Sequence, residues 1–136
     1  ELMIVGSDID PAAIEIARAA AKKAGLAGEI RFEVLPVAKM RPTGNYGVII
    51  TNPPYGERLG NQKEAEAALK QLAYRYQLLD NWSAYVLSPS KNVEHYMEQK
   101  ADRKRKLYNG RIECQLYQYY AAATSSYYKA KREGAI

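Results

Sequence analysis

Thr51-Asn52-Pro53-Pro54-Tyr55 brings together, in five consecutive residues, the groups needed to hold an amino group beside a flat ring. Two successive prolines lack N–H donors and have a fixed φ, so the backbone there is rigid and its carbonyls face outward. The Asn52 side-chain oxygen and a proline carbonyl can together accept both hydrogens of a base amino group. That grip aims the nitrogen lone pair at a methyl carbon and stabilises the positive charge that develops on nitrogen. Tyr55 offers a face on which a base can stack, a contact worth about 1–3 kcal/mol. Such chemistry calls for neither a nucleophilic cysteine nor a metal. The competing reading is a proline-rich turn whose Asn caps a local backbone group. The position of the motif directly after an apolar run favours the chemical one.

Asp8 is the second candidate. It follows the apolar run Leu2–Val5, and an acidic residue at a strand end commonly accepts hydrogen bonds from a cofactor's ribose hydroxyls. Ile9 beside it could pack on an adenine ring. The alternative is that Asp8 and Asp10 only cap the helix that follows. Other reactive side chains are few: one cysteine, Cys114, and one histidine, His95. A single cysteine cannot form an internal disulfide, which fits a reducing compartment. Cys114 lies in an alternating pattern and reads as a small buried strand residue. His95 has no Cys, His or carboxylate cluster around it, so it reads as a helix-surface residue and no metal site is assigned.

A net charge of +5 leans toward a polyanionic partner. Lys100, Arg103, Lys104, Arg105, Lys106 and Arg111 lie within one short stretch, opposed there only by Asp102. Two readings stay open: a phosphate-contacting patch, or a solvated strand edge where cations block edge-to-edge pairing. Among twelve tyrosines, Tyr117, Tyr119, Tyr120, Tyr127 and Tyr128 cluster near the end. Strand packing is favoured for them over a nucleic-acid stacking platform. No apolar run approaches the roughly 20 residues needed to span a bilayer, so no membrane partner is expected. The N-terminus shows no signal peptide, and because it does not begin with Met a partial chain is expected.

The elements that must position these groups alternate. Leu2–Val5, a fully apolar run ending in Gly6-Ser7-Asp8, reads as a buried parallel strand, with a tight turn leading into the helix. Asp10-Pro11 opens a helix with Ala13, Ile14, Ala17, Ala21 and Ala24 on its stripe, and Gly25 stops it. Glu29–Leu35 is a second strand with Ile30, Phe32 and Val34 on one face. Pro36–Asn45 is a loop, and Tyr46–Thr51 a third, continuously apolar strand. Gln62–Asp80 is a helix striped by Ala65, Ala68, Leu69, Leu72, Tyr76 and Leu79. Ser83–Leu87 is a fourth strand. A short helix capped by Ser90 or Asn92 runs through Gln99. Arg103–Tyr108 and Arg111–Tyr120 flank Asn109-Gly110, the strongest short-range hairpin signal. This order is α/β, with a mostly parallel sheet and a C-terminal antiparallel hairpin. Ligands in open α/β sheets sit outside the carboxyl ends of strands, where Asp8 and Asn52 are expected.

Asn52-Pro53-Pro54-Tyr55 resembles the motif of amino-group methyltransferases acting on adenine or guanine. The wider segments, Gly6-Ser7-Asp8-Ile9-Asp10-Pro11 and Thr51 through Gly56-Glu57-Arg58-Leu59, resemble the bacterial RNA methylase family that includes the ribosomal RNA large-subunit guanine-N2-methyltransferases. Arg105-Lys106-Leu107-Tyr108-Asn109-Gly110 is similar to the terminal hairpin of that family, and the resemblance runs to about Tyr120. It implies a Rossmann-like class I methyltransferase fold with S-adenosyl-L-methionine as cofactor. Asn52, Pro53, Pro54 and Tyr55 would be catalytic, and Asp8, Ile9 and Asn52 would bind the cofactor. The implied substrate is the guanine 2-amino group in RNA, most naturally 23S ribosomal RNA, in the cytoplasm. A THUMP domain is expected upstream in the full-length protein.

The chain departs from the family pattern in two places. The glycine-rich loop and the first strand, which in related folds lies between the strands ending at Asp8 and Thr51, are expected upstream of Glu1. This chain alone is therefore expected to bind the cofactor poorly, with a companion segment or an exchanged strand filling the gap. Val34-Leu35-Pro36 supplies no adenine-reading residue. The expected division is a partial methyltransferase domain at residues 1–122 and a polar, frayed tail at 123–136. The motif alone does not choose guanine over adenine. Two further readings therefore remain: a DNA adenine-N6 methyltransferase, disfavoured by the Gly-Glu-Arg-Leu context, and a non-catalytic nucleic-acid-binding module.

Overall fold

β1 (Ile4–Asp8), α1 (Pro11–Lys23) and β2 (Ile30–Val34) make one unit of the chain, spanning Glu1–Arg41; the remainder, Pro42–Ile136, makes a second. The computed structural model describes residues 3–56, 61–122 and 130–134. In the first unit β1 and β2 run parallel, Ile4 opposite Ile30 and Asp8 opposite Val34. A parallel pair needs a crossover, and α1 supplies it. Asp10 caps α1 as the sequence predicts, its carboxylate accepting the Ala12 N–H at 2.9 Å, with Pro11 in the first turn. The helix closes through Leu26 N–H to the Ala21 carbonyl at 2.8 Å and Gly25 N–H to that of Lys22 at 3.0 Å.

The strand runs through Gly6-Ser7-Asp8 to end at Asp8, each of the three pairing in register with β2. One expectation is corrected in this unit: β1 is not buried, Ile4 and Val5 being about half exposed, at 46% and 51%. Among the described residues β2 is its one ladder partner. Within the stripe of α1, Ile14 and Ala21 are buried, while Ala24 falls at the cap and is exposed. The Pro36–Asn45 loop contains a short 3-10 turn at Val37–Lys39.

The second unit is a four-stranded sheet ordered β3-β4-β6-β5, formed by β3 (Gly47–Thr51), β4 (Trp82–Ser88), β5 (Arg103–Asn109) and β6 (Ile112–Tyr119). β3 and β4 are parallel and joined through α2 (Gln62–Gln77); β6 is antiparallel to both of its neighbours. One face carries Ile49, Ala84, Val86, Tyr117 and Tyr119, all buried. α2 covers that face with Ala65, Leu69 and Leu72 of the predicted stripe. The Tyr76 ring lies 6.3 Å from that of Tyr119, and its hydroxyl donates to the Trp82 carbonyl at 2.8 Å. α3 (Val93–Met97) adds Val93 and Met97 to the core.

β3 is the continuously apolar strand read from the sequence, but only its Ile49 side is covered: Val48 and Ile50 are 56% and 80% exposed. β3 lies at one edge of this sheet among the described residues. α2 ends at Gln77 rather than Asp80, the chain turning through Asn81 at φ 58° into β4. α3 ends at Met97 rather than Gln99 because Glu98 takes φ 54°. The hairpin turn is Gly110-Arg111, since Asn109 pairs with Ile112. Gly110 at φ 62° fits the first central position of a two-residue turn where L side chains are strained. Asn109 is thereby kept in β5. Of the expected frayed tail, residues 123–129 and 135–136 lie outside the described residues, and residues 130–132 are helical.

Candidate active site

Asn52 follows the last residue of β3, at the carboxyl end where the topology expects a ligand. Pro53 is buried and anchors the segment, Asn52 and Pro54 are exposed, and Tyr55 is half-buried. Gly56 turns the chain at φ 72°, and a Cβ there would stand 3.0 Å from the Gln62 Cα and 3.2 Å from the Ala65 Cβ. Only a residue without a side chain lets the motif loop lie this close to the first turn of α2. The segment Asn52–Gly56, with Asn61, Glu64 and Asn109, lines an open cleft of about 360 Å³. Four of those side chains carry amide or carboxylate oxygens, so the cleft is rich in acceptors.

Tyr55 is held from the hairpin. The Asn109 side-chain N–H donates to its hydroxyl oxygen at 3.1 Å. Burial pushes the Tyr55 hydroxyl pKa up, and Cys114 acts in the same direction, outweighing the opposing bonds from Asn109 and Asn52. The phenol therefore stays neutral at ordinary pH and keeps its lone pairs for Asn109. The arrangement fixes one end of the ring while the motif backbone fixes the other.

In the first unit, Asp8 closes β1 and is exposed. One carboxylate oxygen accepts the Asp10 N–H at 2.8 Å, and the other has no hydrogen bond among the described residues. The capping alternative therefore accounts for Asp10 and for half of Asp8. Ile9 is 71% exposed.

Sequence reasoning missed Asn61, Glu64 and Asn109 as cleft residues. The first two open the helix that follows the motif, a position that could have marked them; Asn109 had been assigned to a turn. The stacking-platform reading of the terminal tyrosines is overturned where it can be seen. Tyr117 and Tyr119 are 5% and 0% exposed, with hydroxyls donating to the Ser90 and Gln99 carbonyls at 2.8 and 3.1 Å. Tyr120 is half-buried with its ring 6.4 Å from that of Tyr85, and Tyr127 and Tyr128 lie outside the described residues. Cys114 is buried at 1% exposure and His95 is exposed on α3, as read from the sequence. Glu57, Arg58 and Leu59, part of the family context, lie outside the described residues. Among the described residues no helix is long and apolar enough to cross a membrane.

Comparison with known proteins agrees with this architecture. YpsC of Bacillus subtilis (strain 168), provisionally named an RNA methyltransferase, is 42% identical over 120 residues, covering 88% of this chain and 31% of YpsC. The ribosomal RNA large subunit methyltransferase K/L of Legionella pneumophila (strain Corby) is 36% identical over 115 residues, 84% of this chain and 16% of that protein. The crystal structure of SMU.472, provisionally named a methyltransferase and complexed with SAH, superposes with a TM-score of 0.81 at 36% identity, covering 87% of this chain and 31% of that one. The chain thus spans a third or less of each of these three proteins, and its sheet and helices are those of a Rossmann-like class I methyltransferase. The family model described as "RMKL-like, methyltransferase domain" matches residues 1–118. The chain belongs to the RMKL-like methyltransferase domain family.

Proposed function

We propose that this chain is the part of an S-adenosyl-L-methionine-dependent enzyme that presents a base amino group for methylation, and that the group is the guanine 2-amino of 23S ribosomal RNA. The observation that carries this reading is the acceptor-rich cleft at the end of β3, in which Asn52, Tyr55 and Asn109 meet. The names of the relatives, an RNA methyltransferase and ribosomal RNA large subunit methyltransferases, support RNA as the substrate class.

Asn52 and a proline carbonyl accept the two amino hydrogens and orient the nitrogen lone pair. Their dipoles would stabilise the positive charge that grows on nitrogen as it takes a methyl group whose bond to sulfur breaks, the sulfur leaving as a neutral thioether and one amino proton passing to solvent. Tyr55 stacks on the base. A paired amino group is out of reach, so the nucleotide enters unpaired or flipped. Asp8 and Ile9 suit the cofactor's nucleoside: a carboxylate oxygen free of hydrogen bonds among the described residues can accept a ribose hydroxyl, and an exposed aliphatic chain can pack on adenine. When bound, the cofactor supplies an electrophilic methyl group on a sulfonium sulfur. The reading extends to residues 1–122 as the methyltransferase piece, an upstream THUMP domain in the full-length protein, and a cytoplasmic location.

Asn52→Ala in the full-length protein tests it. Turnover should be lost while the far-ultraviolet circular dichroism stays unchanged, because Asn52 serves the transition state and not the core. An unchanged methylation rate would remove Asn52, and with it the mechanism. Asp8→Ala should instead weaken cofactor binding.

A further inference from the structure

β5 treats its cations differently on its two faces. Alternate residues of a strand project to opposite sides, so Lys104 and Lys106 share one face and Arg103 and Arg105 the other. The lysines are both neutralised: Lys104 Nζ lies 3.1 Å from a Glu94 carboxylate oxygen, and Lys106 Nζ 2.7 Å from one of Glu113. The Ala101 N–H and Lys104 hold the Glu94 carboxyl below the usual carboxylate range, so that pair stays ionised at neutral pH. Arg103 and Arg105 are exposed and have no ion pair or hydrogen bond among the described residues. Their register partners on β6, Gln118 and Leu116, carry no charge. Asp102, the nearest acid in sequence, accepts the Tyr120 N–H at 2.7 Å.

Asn109 lies on the same face as the two arginines, four residues beyond Arg105, or about 13 Å along the strand. It is the residue that grips Tyr55 in the cleft. One strand therefore runs from an uncompensated guanidinium pair to the proposed base-holding site. Guarding a strand edge requires charge but does not require that paired lysines and unpaired arginines be sorted onto opposite faces. A guanidinium presents its donors in a plane that matches phosphate oxygens. We propose that Arg103 and Arg105 form a row that contacts the backbone phosphates of the single-stranded RNA whose base enters the cleft. This rests on the RNA reading above and adds the surface that would hold the strand.

The test is the salt dependence of RNA binding. Anisotropy of a fluorescein-labelled single-stranded oligonucleotide of ribosomal RNA sequence would be titrated with the full-length protein at several salt concentrations. Three proteins are compared: wild type, Arg103→Gln/Arg105→Gln and Lys104→Gln/Lys106→Gln. Loss of two phosphate contacts lowers the slope of log affinity against log salt by about 1.4 for a single strand. The arginine variant should show that drop, and the lysine variant less than half of it. An unchanged slope in the arginine variant overturns the proposal, as does an equal drop in the lysine variant or salt-independent binding by the wild type. Methyl transfer by the wild type to the same RNA is scored in parallel. Absent label there counts against the methylation reading of the cleft, while the slopes still decide the phosphate row.

Discussion

The bond between Asn109 and Tyr55 gives a prediction with a defined size. It joins two neutral side chains at 3.1 Å in an open cleft, so its net value should lie in the lower half of the usual range of about 0.5–1.5 kcal/mol. Asn109→Ala should then lower kcat/KM by about 2- to 5-fold. Tyr55→Phe keeps the ring but loses the same bond, and should cost a similar amount. Tyr55→Ala also loses the stacking face, worth about 1–3 kcal/mol, or roughly 5- to 150-fold. Because Asn109→Ala and Tyr55→Phe delete one interaction from its two ends, the double variant should be little worse than either single one. The double-mutant cycle in methyl-transfer kinetics should return a coupling of about 0.5–1 kcal/mol. Effects that simply add, with coupling below about 0.3 kcal/mol, would refute the claim that Asn109 acts through the Tyr55 hydroxyl.

Three further predictions concern stability. A Cβ at Gly47 would stand 2.3 Å from the Trp82 ring, whose Nε1 donates to the Gly44 carbonyl at 3.1 Å. Gly47→Ala should therefore cost about 1–3 kcal/mol, read as a lower urea midpoint with unchanged m; an unchanged midpoint would contradict it. Tyr119→Phe, at a residue with no exposure, forfeits the bond to the Gln99 carbonyl and should cost about 1 kcal/mol in the same assay; no loss would show that bond to be idle. Glu94 has a folded pKa lowered first by the Ala101 N–H and then by Lys104. Its contribution is thus present above the unfolded carboxylate pKa and lost as pH falls through the folded one. The Tm gap between wild type and Glu94→Gln should be widest near neutrality and close under acid; a gap independent of pH would rule this out.

The local parts of this molecule were legible in the chain, and the parts that depend on distant neighbours were not. Asn52–Tyr55 and the Asp10-Pro11 cap are written in consecutive residues, and the α2 stripe in a spacing of three and four. The end of β1 at Asp8 was legible too, and pairing with Phe32 and Glu33 holds Gly6 and Ser7 in the strand. The runs in β1 and β3 state that a strand is apolar but not whether both its faces are covered, which is why Ile50 at 80% exposure was unforeseen. Asn109-Gly110 announced a hairpin, but the turn falls one residue later, at Gly110-Arg111, which puts Asn109 in β5 rather than in the turn. Its bond to Tyr55 spans 54 residues of sequence. The pairing of Lys104 with Glu94 and Lys106 with Glu113 was equally hidden, since it takes α3 and β6 to bring those carboxylates to β5.

The most direct test of the central claim is the identity of the methylated nucleoside. The full-length protein would be incubated with methyl-labelled S-adenosyl-L-methionine and unmodified ribosomal RNA, with duplex DNA in parallel, and the products digested and separated. The account predicts label in N2-methylguanosine from RNA, abolished by Asn52→Ala. Label confined to DNA adenine, or no label in either nucleic acid, would contradict it.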